Sequence, residues 1–142
     1  MPVGQCNRKM PIIIKFWLPV LVCMGFIFYT SSISGSDIRY VFAFQDVVYH
    51  CIIYLILGLF FARALKNTYP NITLSKIIFL TIMFGSLYGI TDELHQAFVP
   101  DRSVSGFDIF IDGIGSFIGG LIYPLRKNFS SRGKLSKGFI DG

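Results

Sequence analysis

Charge is scarce in this sequence: only 15% of its 142 residues are Asp, Glu, Lys or Arg, while 53% are apolar. An average soluble domain carries about 25% charged residues, and a single soluble core of this length could not hide so many apolar side chains. Cysteine is sparse too. Cys6, Cys23 and Cys51 form an odd, scattered set, which excludes a disulfide framework and fits no zinc-knuckle spacing. No repeat or biased tract appears, so collagen-like, low-complexity and disordered classes are excluded. Gly-rich phosphate loops and nucleophile elbows are also missing. What the chain has in abundance is long apolar runs, and they mark it as a membrane protein.

A bilayer core takes about 20 mostly apolar residues per helix. Four runs meet that need, at about 11–29, 46–65, 74–90 and 107–125. The fold expected is therefore all-α: a polytopic membrane protein with four transmembrane helices in a small bundle over residues 11–126. Residues 1–10 are expected to be a cytoplasmic segment, and 127–142 a basic, disordered cytoplasmic tail. The first run exceeds the 7–15 apolar residues of a usual signal peptide, so it reads as an uncleaved anchor.

Basic residues alternate between segments. Arg8, Lys9 and Lys15 lie at the start, Arg63, Lys66 and Lys76 around the second loop, and Arg126, Lys127, Arg132, Lys134 and Lys137 in the tail; Arg39 and Arg102 alone occupy the other side. The positive-inside rule then places both termini and the middle loop in the cytoplasm. The net charge of +5 is thus a topology signal. Nucleic acid is not an expected partner, since no basic patch lies on a soluble face. Acidic residues segregate oppositely: all but Asp141 fall at or near the outer ends of the spans. The orientation rule ignores acids, so this segregation needs its own cause.

Ionisable groups within spans are costly and are functional by default. Asp46 and His50 stand i,i+4 at the outer end of the second span, with Tyr54 extending the face. An Asp one turn from a His can fix its tautomer and raise its basicity, as for an oriented general base or a plain structural pair. On a continuing third helix, Gly85, Gly89, Asp92 and Gln96 share a face, with Tyr88 and His95 beside it and Glu93 about 100° away. Arg102 follows in the next loop, as a partner for these acids or a fork for phosphate. Ser105 suits a helix cap. Asp108, Asp112, Gly115 and Gly119 then form one stripe on the fourth span. Its Gly-x-x-x-Gly pair lets another helix approach closely, within the chain or in an oligomer. The acids on that stripe should therefore face protein.

The string Asp46-x3-His50-x3-Tyr54, then Tyr88-x3-Asp92-Glu93-x2-Gln96-x3-Pro100-x-Arg102-x2-Ser105-x2-Asp108 and Gly115, resembles the VanZ-like family of small bacterial membrane proteins. It reaches back to Phe28-x2-Ser31-Ser32, so the resemblance covers about 17–123. The family's founding member is an accessory protein of glycopeptide resistance that lowers teicoplanin susceptibility. The resemblance implies a cell-envelope role of that kind, with the glycopeptide itself among the conceivable partners. This chain departs in having Asp112 where Asn is more frequent, and Val47 where Lys is frequent.

Taken singly, each polar group has a plain reading: a structural pair at Asp46 and His50, a span boundary at Asp92 and Glu93, a dipole-favoured first-turn acid at Asp108. Boundary effects should scatter over both membrane faces, whereas these gather on one. A shared functional cluster of Asp46, His50, Asp92, Glu93, Gln96, Arg102 and Asp108 is expected, with Arg102, Tyr54, Tyr88 and Asp112 binding a substrate. Three uses stay open. One is a non-catalytic pocket engaging a membrane lipid, a lipid-linked envelope precursor or the antibiotic. A second is a small enzyme with His50 as base, Asp92 or Glu93 as acid and Arg102 on phosphate. The third is a proton- or cation-linked carrier. A divalent metal is the one cofactor conceivable, with His50, Glu93 and His95 the candidate ligands, although Asp92-Glu93-Leu94-His95 is not the H-E-x-x-H pattern.

Overall fold

Each apolar run folds into one helix: α1 Ile12–Ser31, α2 Gln45–Thr68, α3 Leu74–Gln96 and α4 Gly106–Gly138. The computed structural model describes residues 11–138, so the segment expected at 1–10 and the end of the tail expected at 127–142 lie outside the described residues. Among the described residues there is no strand, and the fold is all-α. All four helices are long and apolar enough to cross a membrane, over Ile13–Ser31, Gln45–Thr68, Leu74–Gln96 and Gly106–Leu125. The chain is a multi-pass membrane protein. Many of its large apolar side chains, such as Leu21, Val22, Phe79, Leu87 and Phe110, point outward, where lipid rather than water is the solvent.

Two helices differ from the sequence reading. The third continues to Gln96, past the boundary expected near residue 90, because Asp92, Glu93 and Gln96 are buried inside the bundle instead of meeting water. The fourth runs on through Pro124 to Gly138, into the segment expected to be irregular. Arg and Lys, frequent there, propagate a helix readily.

Short loops make successive helices antiparallel, and cross-helix bonds confirm the register. At one end Trp17 Nε1 donates to Thr68 Oγ1 at 3.0 Å, and Asn67 Nδ2 donates to the Tyr123 hydroxyl at 2.9 Å. At the other end Ser32 Oγ and His95 Nε2 are hydrogen-bonded at 2.9 Å. The α1–α2 and α3–α4 connections therefore share one end of the bundle. They are tied directly, since the Gly35 N–H donates to the Pro100 carbonyl at 3.1 Å and Ser34 Oγ to the same oxygen at 3.2 Å.

Helix α2 is the hub, packed on α4 most extensively and also on α1 and α3. Its contact with α1 is conventional: Val20, Cys23 and Ile27 meet Ile53, Leu57 and Phe61, and Phe61 stacks on Phe84 of α3 with centroids 4.1 Å apart. The contact with α4 is of another kind. A Cβ on Gly115 would strike the carbonyl of Cys51, and one on Gly119 the carbonyl of Leu55. The Gly-x-x-x-Gly face is filled by α2 of the same chain. It is therefore not open to a second copy, which corrects the oligomer seam expected at Gly115/Gly119. That close approach is what carries Asp112 into the bundle interior.

Candidate functional site

Helices α2, α3 and α4 each bring a polar group into the loop-tied end of the bundle. His50 is 5% exposed, Glu93 1% and Asp112 0%. His50 Nδ1 and Asp112 Oδ1 are 2.9 Å apart. The partner of His50 is thus Asp112 on α4, not Asp46 one turn earlier on its own helix. Asp112 reaches it because Gly89 of α3 presents no side chain: a Cβ there would press on the Asp112 carboxylate. A carboxylate on Nδ1 fixes the imidazole orientation and leaves Nε2 as the nitrogen available for chemistry. The Tyr54 ring runs nearly parallel to that of His50, with centroids 6.2 Å apart.

Glu93 is divided between two tasks. Its Oε2 accepts the backbone N–H of Ser105 at 2.6 Å, which fixes the loop just before α4. Its Oε1 is buried with no hydrogen-bond partner. Ser105 in turn caps α4, its hydroxyl accepting the Asp108 N–H at 3.3 Å. This chain of contacts sets Asp108 beside Glu93 and His50, and one ligand-type atom from each of the three lies within 4.8 Å of the others.

Asp92 and Gln96 form a buried pair, Gln96 Nε2 donating to Asp92 Oδ2 at 3.0 Å. With His50, Tyr54, Ser31 and Arg102 they line an internal space of about 10 Å³, room for about one water-sized molecule. Arg102 is half-buried, its Nε has no partner, and among the described residues it makes no ion pair. It also borders a 200 Å³ pocket with Thr30, Asp46 and Tyr49. Asp46 and Asp108 then line a wider, open groove of about 590 Å³ between residues 40–47 and 103–108. At its rim the Asp46 carboxylate, as hydrogen-bond acceptor, pushes the Tyr40 hydroxyl above its ordinary pKa.

Residues 16–127 match the VanZ/LLP1 family model. The chain belongs to the VanZ family. No curated protein and no solved structure matches it significantly. Every residue of the cluster falls within the VanZ-matched region, as do both loops that tie its end of the bundle.

Two expected site residues do other work in this VanZ-family chain. Tyr88 donates its hydroxyl to the Met24 carbonyl at 2.7 Å, clamping α3 to α1 instead of facing a substrate. His95 lies apart from the cluster, held by Ser32 and stacked on Phe28 at 4.4 Å, so the third candidate ligand is Asp108 and not His95. Replacing Tyr88 by Phe should therefore lower stability by about 0.5–1.5 kcal/mol, the net worth of one hydrogen bond, and leave function intact. Thermal unfolding in detergent beside a functional assay checks this.

Other contributors escaped the sequence reading. Gly35 approaches the Asp101 carbonyl so closely that a Cβ would overlap it. Gly35→Ala should thus displace the loop carrying Arg102 and cut function while leaving the four spans inserted, as protease accessibility of that loop would report. The Ser105 backbone amide, which anchors Glu93, carries no sequence signal of its own, although its hydroxyl was legible as a cap. Ser116, fully buried on α4, faces Gly58 and Gly85 where three helices meet. Only its place next to the glycine stripe could have suggested it.

Proposed function

We propose that this VanZ-family protein is a small enzyme of the bacterial plasma membrane, performing acid–base chemistry on a phosphate-bearing envelope lipid or polyprenyl-linked precursor. The observation that carries the reading is the buried His50–Asp112 pair next to a Glu93 oxygen with no partner. In this reading His50, oriented by Asp112, and Glu93 form the reacting centre, and Arg102 holds the phosphate. The open groove between residues 40–47 and 103–108 receives the head group while the apolar chain lies along the lipid-facing helices. The alternation of basic segments supports cytoplasmic termini, with this end of the bundle facing outward.

Direct capture of an antibiotic is less well supported, because His50, Asp92, Glu93, Gln96 and Asp112 are nearly inaccessible and the space beside His50, Asp92 and Gln96 is about 10 Å³. Lowered glycopeptide susceptibility is then a consequence of altered lipid-linked precursors. Lipid profiling of cells with and without the gene tests the proposal. A phosphate-bearing envelope lipid should change in abundance with the wild-type protein and return to the gene-free level with Glu93→Gln. An unchanged lipid profile in cells that accumulate the wild-type protein would contradict it.

A further inference from the structure

We propose that His50, Glu93 and Asp108 form a binding site for one divalent transition-metal cation, with Asp112 orienting the imidazole from behind. The inference deepens the proposed function and rests on the same pocket, but metal binding is measurable apart from turnover.

One ring nitrogen of His50 and one carboxylate oxygen each from Glu93 and Asp108 lie within 4.8 Å of one another. Ligands about 2.0–2.2 Å from a single ion fall within that separation. With Nδ1 held by Asp112 at 2.9 Å, the nitrogen left to bind a metal is Nε2. A carboxylate on the far nitrogen of a metal-bound imidazole is the usual outer-shell arrangement, which fixes the ring and raises its basicity.

The second observation is Glu93 itself. It is 1% exposed, and its Oε1 has no hydrogen-bond partner in the protein, although Oε2 is fully engaged by the Ser105 amide. Burying an unpaired carboxylate oxygen is unfavourable, and a cation would offset that cost. Charge agrees in direction, because a divalent ion neutralises the two ligating carboxylates and leaves only the Asp112 carboxylate, which accepts from His50 Nδ1.

The donor set narrows the ion. One imidazole with two carboxylates suits Mn²⁺, Fe²⁺ or Zn²⁺ better than Mg²⁺, which favours oxygen and water. Three protein ligands leave coordination positions open, and Asp108 also borders the 590 Å³ groove assigned to the phosphate. The metal would then polarise a phosphate oxygen or lower the pKa of a bound water.

The test uses the full chain, purified in detergent, stripped with chelator and titrated with Mn²⁺, with loss of the free-ion paramagnetic resonance signal as the readout. Wild type should bind one equivalent. Glu93→Gln and Asp108→Asn should each weaken binding at least tenfold, and Asp112→Leu about 10- to 100-fold although it removes no ligand. His95→Ala should bind as wild type does. Helical content by circular dichroism selects the folded variants, and Asp108→Asn, at the half-buried rim, is the substitution most readily accommodated. Saturable binding absent from helical wild-type protein would overturn the site, as would binding unchanged in Glu93→Gln and Asp108→Asn. Metal binding without any lipid change would instead contradict the proposed function and leave the site standing.

Discussion

His50→Gln is expected to insert and accumulate like wild type and yet lose its effect on the lipid-linked pool by about 100- to 10,000-fold, the range general acid–base groups contribute. Gln keeps much of the volume of His50 but offers no imidazole nitrogen, either to exchange a proton or to hold a cation. The companion variants make the prediction specific. Asp112→Leu should approach the same loss, since it leaves Nδ1 of a 5%-exposed imidazole without its acceptor; an orphaned buried donor also costs about 1–3 kcal/mol of stability. Asp112→Asn should retain far more function, because its amide oxygen can still accept from Nδ1 and hold the ring. Quantifying the responsive lipid at matched protein levels checks all three. Equal activity in wild type and His50→Gln would remove the imidazole from the chemistry altogether.

Gly119→Val should give the largest structural effect. The added Cβ would meet the Leu55 carbonyl and the Leu59 amide of α2, which are main-chain atoms that no rotamer change can move. Overpacking of side chains costs about 1–3 kcal/mol, and contact with backbone should exceed that by forcing α4 away from α2. Separation of the two helices also pulls Asp112 from His50, so stability and function should fall together. Gly25→Ala is the matched control, because nothing lies within 4 Å of a Cβ there and Ala is the better helix former. Thermal unfolding in detergent should show a marked drop for Gly119→Val and no loss for Gly25→Ala.

The four helices were legible because hydrophobic length alone specifies a span, and the end of the bundle that holds the site was legible because acids gather there. The Asp108–Asp112–Gly115–Gly119 stripe pointed to protein as well, and Asp112 is buried there, while Asp108 stays half-buried at the groove. What could not be read was pairing between helices. Spacing along one helix favours Asp46 with His50, yet only three-dimensional packing decides that Asp112, 62 residues away, is closer. His95 illustrates the same limit: its neighbourhood in sequence is acidic, but the rotation of α3 turns it toward Ser32 and Phe28. Tyr88 differs again, because a tyrosine on a polar face can serve a substrate or a neighbouring backbone carbonyl, and the Met24 oxygen took it. The polar face of a continuing α3 was legible to Gln96, but not that Asp92, Glu93 and Gln96 are buried within the bundle, which composition cannot reveal.

Cysteine cross-linking in native membranes tests most directly whether the polar groups of separate helices meet. In a background lacking Cys6, Cys23 and Cys51, the pair His50→Cys/Asp112→Cys should be bridged within the chain by mercuric ion or a short bifunctional thiol reagent, because a hydrogen-bonded side-chain pair sets its Cβ atoms farther apart than a disulfide spans, while His95→Cys/Asp112→Cys should not. Failure of the first pair to close, or equal closure of both, would contradict the arrangement from which the chemistry has been derived.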